Sequence, residues 1–224
     1  PTGGRIVGAN AWSLAAAGRA SGAEALDMGI AKDTRGALAE RICGALASDV
    51  IVSSAGVSVG DRDYVRPVLE ELGCTIVFWG VQIKPGFPLV FGRFGDRGPL
   101  VFGLPGNPVS ALVTFEEFVR PALLQMAGRT RLFRPVVRAR MTHALTKPAG
   151  RLHFVRVQLA REGEGFVASS TGSQSSGVLR SMTLAQGLLV FPSEATQLAV
   201  GDLATVQVLD DDVLAAEDGG LGAA

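Results

Sequence analysis

The polar side chains suited to chemistry in the first part of the chain are Asp33, Asp61, Asp63, Lys84, Asn107 and Ser110. Carboxylates are hard oxygen donors that suit Mg²⁺, so Asp33, Asp61 and Asp63 are the candidate metal ligands. Lys84 supplies a point cation, and Asn107 and Ser110 supply neutral hydrogen-bonding groups. Both histidines, His143 and His153, fall later, in strand-like segments where a lone His is more often structural than catalytic. There is no Ser-His-Asp arrangement and no zinc-type ligand spacing. This inventory fits a phosphate-bearing substrate, one hard cation and positioning chemistry. It does not fit nucleophilic proteolysis or hydride transfer.

Three segments must place these groups. Ser53–Tyr64, SSAGVSVGDRDY, follows the apolar run Val50–Val52 and precedes Val65, Val68, Leu69 and Leu72, which repeat at helical spacing. The reading is strand, glycine/serine loop, helix. Such a loop offers unpaired backbone N–H groups to an anion, with Ser54, Gly56, Ser58 and Gly60 as candidate contacts. Asp61 and Asp63 would repel a phosphate unless a cation lies between them. The competing reading is a plain connector with a capping Asp. Leu104–Ser110, LPGNPVS, is a second strand–loop–helix corner, with Asn107 as N-cap and Pro108 as first helical residue. Its candidate contacts are Pro105, Gly106, Asn107, Pro108 and Ser110. Between the two corners, Pro85 and Pro88 hold Ile83–Pro88 extended, which fixes Lys84 in place.

The remaining elements are read from pattern. Asn10 is placed to cap a helix over Ala11–Ala20, Ala25–Ile30 reads as a strand, and Asp33 is placed to cap a helix over Thr34–Ala47. Val50–Val52 reads as a central parallel strand. The repeated letters Pro88–Gly92 and Pro99–Gly103 imply a hairpin, and a helix from Pro108 is expected to reach Met126. Short alternating segments follow Arg134 and suggest a small β-barrel or sandwich. These readings divide the chain into an α/β domain at 1–128, a linker at 129–134, a β domain at 135–210 and a frayed tail at 211–224.

Composition sets the outer bounds. The chain has 224 residues, 47% hydrophobic, with 29 Gly and mean hydropathy +0.31, enough for a substantial core. Lys+Arg and Asp+Glu both number 21, and zero net charge argues against nucleic acid as the main partner. Cys43 and Cys74 lack metal-ligand spacing and read as buried reduced thiols of a cytoplasmic protein. No apolar run has membrane-spanning length and no signal-peptide pattern appears.

Together, Ser53–Tyr64, Ile83–Pro88 and Leu104–Ser110 resemble the molybdopterin molybdenumtransferase family, bacterial MoeA and the E domain of gephyrin. The family's patterns are SGGVSVGxxDY, KPGxP and LPGNPVS, in this order and at similar spacing. The resemblance runs from Gly4 to about Leu209. It implies a MogA-like, three-layer open-sheet α/β domain followed by a small all-β barrel. It also implies insertion of molybdenum from molybdate into adenylylated molybdopterin with Mg²⁺, releasing AMP, in a homodimer that receives substrate from a molybdopterin adenylyltransferase. By this resemblance Asp33, Asp63 and Lys84 carry the catalytic roles, Pro105 and Pro108 are the functional prolines, and Arg156 with Ser176 completes an oxyanion site. Three departures stand out: Ala55 replaces a usual Gly, Phe87 replaces a frequent second Lys, and the family's upstream Gly-Asp-Glu-Leu segment and N-terminal domains are not in this chain. The alternatives are a molybdopterin adenylyltransferase and a non-catalytic scaffold.

Overall fold

A computed structural model describes residues 8–57 and 64–215. Ser58, Gly60, Asp61 and Asp63 lie outside the described residues. The chain forms two compact units that divide between Phe133 and Arg134.

In the first unit, β1 (Val50–Ser54), β2 (Cys74–Trp79), β4 (Val90–Phe94) and β5 (Leu100–Leu104) form a sheet in the order β1-β5-β4-β2. Among the described strands of this sheet only β1 and β5 pair in parallel, and β3 is the two-residue segment Ile83–Lys84. The expected hairpin is β4–β5, in register Phe91 opposite Phe102, with their rings 4.9 Å apart. Alternation along the strands loads both faces. On one face, Ile51, Val90, Val101 and Cys74 pack against Ile42 of α2 (Arg35–Gly44) and against Val65, Val68 and Leu69 of α3 (Val65–Glu71). On the other, Phe102 and Leu104 pack against Ala111, Phe115 and Val119, with Leu14 and Ala17 of α1 (Ala9–Ala20) alongside. The result is helix, sheet, helix. The helix from Pro108 does reach Met126, as α4 (Pro108–Thr114), a π-turn at Phe115–Val119, and α5 (Arg120–Met126).

Several expectations fail for local reasons. Ala25–Ile30 is not a strand: Asp27 Oδ1 accepts from Gly29 N at 2.8 Å, Gly29 has φ 75°, and Leu26 and Ile30 are 71% and 84% exposed. That is turn chemistry overriding an apolar pattern. Asp33 is not the cap of α2; Thr34 is, one residue on, with its Oγ1 accepting from Ala37 N. Asn10 is not a cap either, because α1 begins at Ala9. Val50–Val52 is not central, since β1 ends the order of described strands and Val52 is exposed. Cys43 is exposed, and only Cys74 is buried, which pushes its thiol pKa up.

The second unit contains β6 (Val136–Met141), β7 (Leu145–Thr146), β8 (Leu152–Glu162), β9 (Gly165–Ser170), α6 (Arg180–Thr183), β10 (Gly187–Phe191), β11 (Gln197–Leu198) and β12 (Leu203–Val208). Five of these strands run β10-β12-β6-β9-β8, and β8 pairs back onto β10, closing a small barrel rather than a sandwich. Met141, Val155, Val157, Leu159, Leu189, Phe191 and Val206 fill it. The stretch expected to fray begins instead as a 3₁₀ turn, Asp211–Leu214, whose Val213 and Leu214 pack on the barrel core. Among the described residues no helix is long and apolar enough to cross a membrane.

Candidate functional site

Parallel pairing of β1 with β5 carries both strands to their carboxyl ends at the same edge of the sheet: Ser54 lies opposite Leu104, and Ala55 N donates to Leu104 O at 2.9 Å. The two glycine-bearing corners therefore start side by side, where open α/β sheets gather ligands. Ser54 Oγ donates to Pro105 O at 3.1 Å. Asn10 Nδ2 then donates to both corners, to Ser54 Oγ at 2.7 Å and to Gly106 O at 2.8 Å. The first corner turns through Ala55 at φ 80° and Gly56 at φ 73°. A left-handed conformation is costly for any residue with a Cβ, so Ala55 carries strain there that a glycine would not. In the second corner Pro105 and Ser110 are buried and Pro108 half-buried, whereas Gly106 and Asn107 are exposed. Asn107 occupies the N-cap position but makes no side-chain capping bond.

The Lys84 segment is tied to both corners by packing. Trp79 Nε1 donates to Val57 O at 3.0 Å, and Phe87 sits edge-on to Trp79 at 5.8 Å. A Cβ at Gly86 would meet Thr114 Cγ2 at 2.6 Å, so the segment lies directly on α4. The three motif segments thus meet through Trp79, Phe87 and Thr114. Lys84 and Asp33 are both exposed, and Asp33 takes no partner among the described residues. No group of three His, Cys, Asp or Glu able to hold a metal occurs among the described residues. Asn10, Trp79 and Thr114 were absent from the sequence-derived set. An Asn before an Ala-rich helix reads as a cap, and a Trp at a strand end reads as core.

In the barrel, Arg156 is not a surface side chain: it is 1% exposed. Its Nε donates to Ser181 Oγ at 3.2 Å and its NH2 group to Ser175 O at 3.4 Å. Gln174 brackets its backbone, accepting from Arg156 N and donating to Arg156 O. Ser181 Oγ and Ser175 O are both neutral, and burial lowers the Arg156 pKa to about 10. Ser176 is half-buried in the same loop. His143 is structural: its Nε2 accepts from Ser170 N at 3.2 Å, which places its ring proton on Nδ1 toward Thr142 Oγ1.

Residues 2–125 match the probable molybdopterin binding domain, and residues 138–209 match the MoeA C-terminal region, domain IV. The chain belongs to the molybdopterin-binding domain family. Its second unit is the MoeA-type C-terminal region. It is 38% identical over 208 residues to a molybdopterin molybdenumtransferase of Nostoc sp., covering 88% of this chain and 46% of that protein. It is 37% identical over 215 residues to molybdopterin molybdenumtransferase 1 of Mycobacterium tuberculosis, covering 93% and 50%. A molybdopterin biosynthesis MoeA protein from Pyrococcus horikosii superposes with TM-score 0.72 at 30% identity, covering 93% of this chain and 51% of that one. The chain spans about half the length of the curated relatives it matches.

Proposed function

We propose that this chain binds adenylylated molybdopterin across its two glycine corners and, within a MoeA-type molybdopterin molybdenumtransferase, presents it to molybdate for metal insertion with release of AMP. The observation that carries this is the joining of Ser54–Gly56 to Pro105–Asn107 at one sheet edge, bridged by Asn10. Exposed backbone at Gly106 and Asn107 and the left-handed turn at Ala55–Gly56 supply fixed dipoles for an anionic, hydrogen-bonding ligand. Lys84, held by the Phe87 and Gly86 contacts, offsets oxyanion charge as molybdate approaches. Arg156, a buried cation among neutral groups, is a second group that an oxyanion would relieve.

The donor set Asp33, Asp61 and Asp63 consists of hard carboxylates, and exposed Asp33 is unpartnered among the described residues, so these residues fit Mg²⁺. When bound, Mg²⁺ supplies charge neutralisation between two anionic substrates. The protein's own part is to hold the pterin at the corners and to place Lys84 beside it. We further propose that the active assembly is a cytoplasmic homodimer fed by a molybdopterin adenylyltransferase.

The test is molybdate-dependent AMP release in a full-length version, against ATP-dependent adenylylation as the alternative activity. Lys84→Ala and Asp63→Ala are expected to abolish the former at least tenfold beyond any loss of stability. Unchanged release in both variants would remove the catalytic assignment.

A further inference from the structure

We propose that Asn10 is a positioning residue whose amide sets the gap between the two corners, and through that gap the affinity for the pterin. This rests on the proposed reading that the corners bind molybdopterin.

The hydrogen-bond arithmetic fixes the amide's orientation. Ser54 Oγ spends its only proton on Pro105 O, so toward Asn10 it can act only as an acceptor. Gly106 O is an acceptor by nature. Both groups facing Asn10 therefore demand donors, and the amide's two N–H groups satisfy both at 2.7 and 2.8 Å. A flipped amide would set oxygen against two acceptors. The arrangement leaves Asn10 Oδ1 buried without a partner, and Ser53 Oγ beside the corner is buried without one too. An Asn that served only to build α1 would not need to hold its amide this way, with one acceptor orphaned. The contacts also span 44 and 96 residues of chain, so they join segments that the helix alone does not connect.

Replacement by Asp separates this role from a helical one. In the first turn of a helix an Asp is favourable, because its charge opposes the helix dipole. Between two acceptors an Asp is unfavourable, because it has no proton to give. A purely helical Asn10 therefore predicts that Asn10→Asp matches or exceeds the wild type. The corner role predicts the opposite order, with Asn10→Asp worse than Asn10→Ala.

The experiment titrates molybdopterin into the wild-type chain, Asn10→Ala and Asn10→Asp by calorimetry at pH 8 and pH 5, with thermal melts of each. Affinity is expected to fall about tenfold in Asn10→Ala and more in Asn10→Asp. The excess deficit of Asn10→Asp, taken as a ratio to wild type, should shrink at pH 5, because the two acceptors facing the introduced carboxyl raise its pKa and favour its protonated, donating form. Wild-type affinity in Asn10→Asp, or a deficit with no pH dependence, overturns the proposal. Failure of the wild-type chain to bind molybdopterin overturns instead the reading on which it rests. Should Asn10→Asp not fold, the cycle of Asn10→Ala and Ser54→Ala decides: non-additive losses support the corner role, and additive losses contradict it.

Discussion

The two corners share a sheet edge and a glycine, yet they need that glycine for different reasons. In the first corner the demand is conformational: Ala55 and Gly56 both stand at positive φ, and one of them carries a Cβ there. In the second the demand is space: Gly106 is not at positive φ, but a Cβ on it would lie 3.1 Å from Ala55 Cβ. The Ala at position 55 thus burdens its own backbone and narrows the gap to its neighbour. Glycine letters in a sequence do not distinguish these cases; the pairing of β1 with β5 does.

Substitutions sharpen the contrast. Gly56→Ala carries both penalties, a left-handed Cβ and a 2.8 Å approach to Val65 Cγ2, and should cost about 2–4 kcal/mol in chemical denaturation. A loss below about 1 kcal/mol would show that the corner relaxes freely. Gly106→Ala should cost about 1 kcal/mol alone and close to nothing in an Ala55→Gly background, because the clashing atom is gone. Equal losses in both backgrounds would break the spatial account. Ala55→Gly alone should raise stability by about 0.5–1 kcal/mol, the relief of strain less glycine's entropy. A lower melting temperature would mean that φ 80° carries no strain.

The same division separates the two cations: Lys84 is exposed and Arg156 is buried. Arg156's folded pKa, about 10, lies below the ordinary guanidinium value. The folded state therefore binds fewer protons from this group between those values, and stability from it rises with pH only across that window. Between pH 6 and 9 its burial cost is fully present and flat. Stabilisation by molybdate that is lost in Arg156→Met should accordingly show no slope over pH 6–9. A slope there would assign the effect to another group.

Much of this was legible beforehand. The apolar face of α3, the β4–β5 hairpin and the helix starting at Pro108 follow from local periodicity and punctuation. Two of the three motif segments were likewise visible as strand–loop–helix corners. What local pattern could not supply was lateral. Asn10 sits 96 residues from Gly106, and the 3.1 Å approach of Gly106 to Ala55 depends on register between strands. The strand expected at Ala25–Ile30 failed because an Asp27–Gly29 turn outranks hydrophobic alternation. The burial of Arg156 depends on the Thr171–Ser181 segment folding over β8, which no alternation within β8 announces.

The most direct test of the central claim is an amide-resolved NMR titration of this chain with molybdopterin. If the corners form one pterin site, the N–H resonances of Ala55, Gly56, Gly106 and Asn107 should shift together and saturate at a single ligand concentration. Shifts confined to one corner, or two corners saturating at different concentrations, would contradict it.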